Sequence, residues 1–222
     1  MLKADLHIHT RRYSGCSNID PVDALGRAAA LGLGLIALTE HGIRWTDKDI
    51  HFLIEQSQVE NLVVIPGQEA ACYSPAGKFQ GEFLVFGCPE SLGSNKSAER
   101  LIEIAHGYGG VVIAAHPFKP AERGGGYYGC GRLVDSLDLD GLEVLHPDYG
   151  PLERDLALAA GRSRKLAGLG CGDAHDLRDV GRFQTVFQDD IRDEAALCRA
   201  VRERRLKPLD PADPAFNWDL AP

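Results

Sequence analysis

Short apolar runs alternate along the chain with longer segments in which apolar residues recur every three or four positions. Such short, nearly continuous runs are typical of strands in a parallel sheet that is covered on both faces. The pattern predicts strands over residues 4–8, 33–38, 62–65, 83–86, 110–115, 141–145, 166–169 and 185–187.

Helices are predicted between these strands. Asp20 and Pro21 have the character of a helix start, because an aspartate caps the first turn and a proline fits its first position, and Gly32 is a typical stop. Ser97 and Asp193 are predicted to cap two further helices. The predicted helical ranges are 21–30, 46–60, 98–107, 151–161 and 194–205.

The alternation of strands and helices predicts an α/β fold with a parallel sheet. Eight candidate strands within a single domain favour a closed barrel over an open sheet, and barrels gather their functional side chains at the carboxyl ends of the strands. We expect the barrel over residues 1–207. The tail over residues 208–222 carries four prolines and is expected to be an extended strap or a frayed end.

Composition narrows the possible functions. The 222 residues carry a formal net charge of −8, which disfavours a DNA-coating role, so we expect no duplex nucleic acid partner. No apolar run reaches the ~20 residues of a membrane helix, and we expect no membrane partner. The N-terminus has no signal-peptide core and the six cysteines form no CxxC pair, which favours a cytoplasmic protein with reduced thiols.

Histidines and carboxylates fall at the ends of most predicted strands. His7 and His9 are two apart on the first strand, so both imidazoles project to one side and can reach one metal ion. Surface histidines have no reason to cluster by topology, whereas His51 and His106 lie in helical patterns and are interpreted as ordinary residues. The strand-end set is His7, His9, Glu40, His41, Glu69, Glu82, His116, His146, Asp173 and His175.

These ligands predict a metal centre. Imidazole nitrogen and carboxylate oxygen together suit zinc, manganese or iron. The set is too large for one ion, so we expect two or three divalent ions, with a carboxylate such as Glu69 bridging two of them. Paired ions of this kind hold a hydroxide and stabilise an in-line displacement at phosphorus.

Five motifs carry a family resemblance. They are Asp5-Leu6-His7-Ile8-His9-Thr10, Thr39-Glu40-His41-Gly42, Gly67-Gln68-Glu69, Ala115-His116-Pro117 and Gly172-Asp173-Ala174-His175. In this order they resemble the PHP (polymerase and histidinol phosphatase) family, over residues 4–185. The resemblance implies a distorted seven-stranded β/α barrel of the TIM type and a metal-dependent phosphoesterase. It also implies three ligand sets: His7, His9, Glu69 and Asp173; Glu69 and His116; His41 and His175.

The chain departs from the family pattern at three places. Glu82 stands where the family often has histidine; we expect it to act as a ligand, with a weakened second site or a preference shifted towards manganese or iron. No acidic residue or histidine follows His-x-His-Thr closely, so the third site either lacks a ligand or takes one from Cys16. His146, where many relatives have asparagine, either faces the substrate or is a core residue.

The expected substrate is a small phosphorylated metabolite or nucleotide, attacked by a metal-activated hydroxide. Asp173, His41 and His175 are the expected catalytic residues; either histidine, or an ion that both hold, would stabilise or protonate the leaving oxygen. Substrate phosphate needs further cations, and Arg11, Lys119 and Arg182 are the candidates, with His146. Arg123 is a weaker candidate. Tyr127 and Tyr128 either stack on a base or pack their loop.

Two other functions stay open. A metal-dependent hydrolase of C–N bonds would share the His-x-His strand and the late aspartate, although such enzymes often use a carbamylated lysine and no lysine lies at a matching strand end. A non-catalytic metal-binding scaffold would keep the barrel without turnover. The sequence leaves the oligomeric state open.

Overall fold

The chain folds into strands and helices in the predicted order. The computed structural model describes residues 1–121, 125–213, 215, 216 and 218. Its strands are β1 (Leu2–Ile8), β2 (Leu35–Leu38), β3 (Val63–Pro66), β4 (Gln68–Tyr73), β5 (Phe79–Phe86), β6 (Val111–Ala114), β7 (Gly141–Leu145), β8 (Ala167–Gly170), β9 (Gln184–Phe187) and β10 (Leu206–Leu209). Its α-helices are α1 (Pro21–Ala30), α2 (Asp47–Ser57), α3 (Ala98–Gly107), α4 (Pro151–Arg164) and α5 (Glu194–Arg202).

Side-chain caps begin the helices where the sequence predicts them. The Asp20 carboxylate accepts the N–H of Val22 at 2.9 Å, and the Asp193 carboxylate accepts that of Ala196 at 2.7 Å. Ser97 Oγ caps α3 in the same way. The helix α2 ends three residues earlier than predicted, because Gln58 adopts a left-handed backbone (φ 54°), and α4 runs three residues further than predicted.

Two strands have no counterpart in the sequence prediction. β4 begins with Gln68 and Glu69, and its polar start hides it among loop residues. It follows β3 through Gly67, where a Cβ atom would lie 2.4 Å from Cε1 of Phe86, so only glycine allows the strands to meet here. β10 contains Pro208 and pairs only with β9, as a proline-containing edge strand does. β10 extends past residue 207, where the barrel was expected to end and the C-terminal tail to begin.

Strand pairing produces two five-stranded sheets instead of one closed barrel. Their orders are β10-β9-β1-β2-β3 and β4-β5-β6-β7-β8. The strands β1, β2 and β3 are parallel, as are β6, β7 and β8, whereas β5 is antiparallel to both of its neighbours. The expected single barrel is therefore not confirmed: among the described residues no ladder closes the sheets, because the β4–β5 hairpin interrupts the strand–helix repeat.

The two sheets nevertheless meet through isolated bridges at one end. At the end of β1, the carbonyl of His7 accepts the N–H of Ala174 at 3.1 Å, and the N–H of His9 donates to the carbonyl of Ala174 at 3.0 Å. Beyond β2, the N–H of Glu69 donates to the carbonyl of Glu40 at 3.0 Å. Both bridges are formed by strand-end residues of the predicted site.

The apolar core lies between and around the sheets. Leu6, Leu84 and Phe86 are fully buried in a cluster between the sheets, which α5 covers through Leu197 and Val201. Two further clusters pack the outer helices against the strands. All six cysteines are free and five are buried. Among the described helices, none is both long enough and apolar enough to cross a bilayer.

Asp5 links the two sheets at this end of the molecule by hydrogen bonds. Its side chain is completely buried, and its carboxylate accepts the N–H groups of Gly172 at 2.9 Å and Gly181 at 2.8 Å. Burial raises the pKa of Asp5 to about 7, against the lowering effect of these hydrogen bonds. A strand of one sheet is thereby fixed to the segment that follows β8 of the other.

We expect Asp5→Ala to lower the free energy of unfolding by about 2–5 kcal/mol, since it leaves buried N–H groups without an acceptor. Urea unfolding in the presence of a chelator measures this without a contribution from bound metal. Lys3→Ala, at an exposed position of the same strand, is the control and should change stability by less than about 0.5 kcal/mol. Equal unfolding midpoints for the two variants would contradict this role of Asp5.

Candidate metal centre

The two histidines of β1 converge on one point. His7 and His9 are fully buried, and their Nε2 atoms lie 2.9 Å apart. They project to the same side because their positions on the strand differ by two.

Glu69 lies at the centre of the cluster. Its Oε1 is 3.0 Å from Nε2 of His116 and 3.3 Å from Nε2 of His7. Its Oε2 is 2.9 Å from Nδ1 of His41 and 3.4 Å from Nε2 of His9. One carboxylate thus faces two pairs of histidines, one pair at each oxygen, which is the arrangement of a bridging ligand.

Asp173 also divides its oxygens between two groups. Oδ1 lies 3.4 Å from Nε2 of His7 and 3.5 Å from Nε2 of His9. Oδ2 accepts hydrogen bonds from Lys119 Nζ at 3.0 Å and His146 Nε2 at 3.1 Å. Asp173 and His116 both have left-handed backbones, with φ of 44° and 29°. Such strained positions concentrate at functional sites.

The described residues contain five overlapping triads whose ligand atoms all lie within 4.8 Å of one another. They are His7, His9 and Asp173; His7, Glu69 and His116; His9, His41 and His175; His41, Glu69 and Glu82; and His116, His146 and Asp173. The triads contain all the histidines and carboxylates of the predicted strand-end set except Glu40, and they do not include Cys16.

Hydrogen bonds fix which nitrogen of several histidines is free to bind metal. His7 Nδ1 donates to Glu143 Oε1 at 2.9 Å, and His175 Nδ1 donates to the carbonyl of Asp173 at 2.9 Å. In each ring the proton is then on Nδ1, which leaves Nε2 as the ligand atom.

A serine hydroxyl places the proton of His9 on Nδ1 as well. Ser14 Oγ donates its single proton to Oε2 of Glu40 at 2.5 Å, so it can only accept from Nδ1 of His9, 3.3 Å away. Glu40 is fully buried and also accepts the N–H of Thr10 and the indole N–H of Trp45, each at 3.0 Å. Glu40 and Ser14 thereby keep Nε2 of His9 free.

His146 differs from the other histidines. Its Nδ1 accepts the N–H of Asp148 at 3.1 Å, so its neutral ring carries the proton on Nε2, which donates to Asp173. Both nitrogens are occupied. The side chain is buried, as a core residue would be, yet it lines the cavity beside Lys119 and contacts the candidate ligand Asp173, so both alternatives from the sequence stay open.

The electrostatics of the cluster call for cations. Burial lowers the pKa of His9 to about 4, so that ring is neutral. Burial also acts to lower the pKa of His7, yet Glu143, Asp173 and Glu69 raise it well above its usual value. Among the described residues, Lys119 is the only lysine or arginine that contacts a carboxylate of the cluster. Protons on histidine supply the positive charge that divalent ions would supply, so the donor set fits such ions.

Glu82 and Cys16 lie at the edge of the cluster. Glu82 Oε2 is 3.6 Å from Nε2 of His116, and burial, followed by the charge of Glu69, raises the pKa of Glu82 to about 7. Cys16 Sγ is 3.2 Å from Nε2 of His41. The thiol lies beside the third histidine set but is not a member of the five triads.

The candidate phosphate-binding residues do not all lie in one cavity. Lys119, His146 and Arg182 line one cavity of about 190 Å³ together with Asp173 and His175. Arg11 lines a different cavity, and Arg123 lies outside the described residues. Tyr127 packs edge-on against Phe118 with ring centroids 5.4 Å apart, whereas Tyr128 is exposed.

Sequence reasoning missed the supporting role of Glu143 and Glu40. Glu143 is fully buried on β7, where its Oε2 accepts the N–H of His116 at 2.6 Å. Glu143 therefore orients the ring of His7 and fixes the backbone of His116, both of which are candidate ligands. The sequence does contain a signal for Glu143, which is an acidic residue inside an apolar strand. Burying a carboxylate costs free energy unless it has hydrogen-bond or charged partners.

Comparison with known proteins identifies the family. A PHP-associated family model matches residues 151–206. The uncharacterized protein MJ1587 of Methanocaldococcus jannaschii is 32% identical over 155 residues, which cover 65% of this chain and 82% of the relative. The chain belongs to the PHP family. Its resemblance to that family in the sequence is thus confirmed.

Solved structures show that the PHP chain shares its fold with other proteins. A candidate metal-dependent phosphoesterase of Bifidobacterium adolescentis matches with a TM-score of 0.66 at 16% identity, over 94% of this chain and 97% of the other. A two-domain protein of Bacteroides vulgatus, which contains a predicted PHP-like metal-dependent phosphoesterase, matches with a TM-score of 0.69 at 19% identity, over 94% of this chain and 64% of the other.

Glu143→Gln should weaken metal binding about 10- to 100-fold, the usual cost of losing the partner of a ligand. A glutamine amide can accept from only one of His7 Nδ1 and the His116 N–H, and its NH₂ group faces the other donor. Competition with a chromophoric chelator measures the affinity. Asp138→Asn, at a side chain that is 92% exposed, is the matched control. Unchanged affinity in Glu143→Gln would contradict this role.

His146→Asn should keep the number of bound ions per chain, because an asparagine N–H can still donate to Asp173. His116→Asn should lose an ion, since Nε2 of His116 is a candidate ligand. Elemental analysis after dialysis measures both numbers. If His146→Asn loses as much metal as His116→Asn, His146 is itself a ligand.

Proposed function

We propose that this protein is a metal-dependent phosphoesterase that hydrolyses a small phosphorylated metabolite or nucleotide. The observation that carries the proposal is the two-sided contact of Glu69, which meets His7 and His116 at one oxygen and His9 and His41 at the other. A carboxylate shared in this way suits paired ions, the arrangement that serves phosphoryl transfer. The descriptions of two structural neighbours as phosphoesterases agree with it.

The proposed ligands follow the contacts. His7, His9, Glu69 and Asp173 would hold one ion, and Glu69, His116 and Glu82 a second. His41 and His175 would hold a third. When bound, divalent ions such as zinc, manganese or iron supply an activated water nucleophile and neutralise charge on the phosphoryl group. The chain itself directs Nε2 of His7, His9 and His175 towards the ions through hydrogen bonds at Nδ1, and it buries the deeper part of the site.

Positive side chains beside the cluster would bind the phosphoryl oxygens. Lys119 Nζ lies 3.0 Å from Asp173 and 2.9 Å from Asp148, and these carboxylates raise its pKa despite the opposing effect of burial. Lys119 is therefore an ammonium at neutral pH. Arg182 lines the same cavity, and its side chain is 54% exposed. Together they provide charge where an anionic substrate would enter.

The proton for the leaving oxygen would come from the open side of the cluster. His41 and His175 have side chains that are 39% and 33% exposed, whereas the other clustered histidines are at most 3% exposed. A general acid must reach both the leaving group and solvent, so either of these histidines is the proposed proton donor where no third ion is bound, and an ion that both hold would stabilise the leaving oxygen in its place.

The alternative C–N hydrolase is less well supported. Such enzymes often place a carbamylated lysine between two ions, and carbamylation needs a neutral amine. Lys119 is the lysine that contacts the cluster, and Asp148 and Asp173 hold it as a cation. The scaffold alternative has no specific observation in its favour, since the ligand triads are present.

Asp173→Asn should reduce metal-dependent phosphoester turnover by at least about 100-fold, because asparagine is a far weaker ligand than a carboxylate. Asparagine tolerates the left-handed backbone, so the fold should persist. Turnover of a phosphoester panel is measured with added manganese, zinc or iron, alongside the metal content of each protein. Asp138→Asn is the control and should retain full activity.

Three results would contradict the proposed function or its assignments. Unchanged turnover in Asp173→Asn would remove Asp173 from the catalytic set. Hydrolysis of cyclic amides without hydrolysis of phosphoesters would favour the C–N hydrolase. Tight binding of metal without turnover of either class would favour the scaffold.

A further inference from the structure

Cys16 lies on the loop between β1 and α1, at the open side of the metal cluster. Its Sγ is 3.2 Å from Nε2 of His41. We propose that Cys16 is a thiolate ligand of the third ion, beside His41 and His175, and that it makes this site selective for zinc over manganese. The inference rests on the proposed metal-dependent function and names a ligand and a metal for one of its sites.

The histidines converge at this place independently of the thiol. The ligand nitrogens of His9, His41 and His175 lie within 4.8 Å of one another. The ring centroid of His9 is 4.3 Å from that of His41 and 4.4 Å from that of His175. Imidazoles grouped in this way suit a transition metal, but they contribute no negative charge to balance a divalent ion.

One nitrogen of His41 and one of His175 are available for an ion. His41 Nδ1 lies 2.9 Å from Oε2 of the buried Glu69, a contact in which Nδ1 carries the proton. His175 Nδ1 donates to the carbonyl of Asp173 at 2.9 Å. In both neutral rings Nε2 is then the free nitrogen, and in His41 this is the atom that faces Cys16.

The distance between Cys16 Sγ and His41 Nε2 suits two ligands of one ion. Zinc binds sulfur at about 2.3 Å and imidazole nitrogen at about 2.0–2.1 Å, so two such ligands of a tetrahedral ion lie about 3.5 Å apart. The observed 3.2 Å is close to this value. Without an ion, the same distance allows the S–H group to donate to Nε2. When an ion binds, the thiol proton leaves to solvent and the sulfur forms the bond to metal.

The loop that carries Cys16 is hydrogen-bonded to both histidine segments. Ser14 Oγ accepts the N–H of His41 at 3.3 Å, and the N–H of Asn18 donates to the carbonyl of His175 at 3.1 Å. Cys16 lies outside the histidine triad, but its exposed side chain turns about a single bond. The thiol can therefore close on an ion without movement of the loop.

Sulfur distinguishes the third site from the other two. The first and second ligand sets contain Glu69, Asp173 and Glu82, whose carboxylate oxygens also suit manganese. Thiolate and imidazole ligands together favour zinc. Cys16 is exposed, whereas the other five cysteines are buried, so it is the thiol that an ion from solvent can reach.

Cobalt(II) is the probe for this ligand, because a cobalt–thiolate bond gives a near-ultraviolet charge-transfer absorption that cobalt bound by nitrogen and oxygen lacks. The metal-free protein is titrated with Co²⁺. The wild type should develop this absorption band, and Cys16→Ser should lose it. Cys88→Ala removes a thiol outside the candidate site and should keep the band.

The metal content and a second variant separate the loss of a ligand from a loss of fold. After dialysis, Cys16→Ser should hold about one zinc ion per chain fewer than the wild type, with an unchanged circular dichroism spectrum. Cys16→Asp keeps an anionic ligand but replaces sulfur with oxygen. It should retain the third ion without the band, and its zinc-to-manganese affinity ratio should fall at least about 10-fold.

The other outcomes separate this ligand from the proposed function. A band that persists in Cys16→Ser, or cobalt binding without a band in the wild type, overturns the thiolate ligand. An unchanged zinc-to-manganese ratio in Cys16→Asp overturns the selectivity. A wild type that shows the band but hydrolyses no phosphoester contradicts the proposed function and supports the ligand. Absence of any cobalt binding contradicts both.

Discussion

The pairing of Ala174 with His7 and His9 is the contact on which the site depends. It joins the end of β1 to the segment after β8, although 166 residues separate the bridged Ile8 and Ala174 along the chain. Asp173 and His175 flank Ala174, so the same two hydrogen bonds carry both side chains to the histidines of β1. Asp5 stabilises this contact by accepting the N–H groups of Gly172 and Gly181, which lie in the segment after β8. The candidate metal centre is therefore the place where the two sheets are held together.

This coupling gives the cluster its charge balance. Glu40, Glu69 and Glu143 are buried, and buried carboxylates are tolerated only with partners. Without ions, histidines take protons, as the raised pKa of His7 indicates. Divalent ions must displace those protons, so metal affinity rises with pH through the raised histidine pKa and weakens as the pH falls below it. A metal ion held by these candidate ligands would stabilise the contact between the sheets, because the ligands come from both.

The sequence predicted the strand ends well because the apolar runs and the helix caps act locally. His7, His41, His116 and Asp173 could be located by their positions after such runs. β4 could not be predicted, since its first two residues are polar: Glu69 belongs to the candidate site, and Gln68 bonds the backbone of Glu90 and Leu92. The separation into two sheets depends on the antiparallel β5, a tertiary feature without a local signal. The role of His146 depends on the N–H of Asp148, which only the folded backbone brings to its ring.

One side of the cluster is buried and the other is open to solvent. A substrate can reach it only from the open side. His7 and His116 are closed off by Glu143, which holds the ring of one and the backbone of the other. His41 and His175 are open to solvent, beside Cys16. A substrate must therefore approach over this open pair of histidines. His175 also lines the cavity beside Lys119, so that cavity adjoins the open side of the cluster.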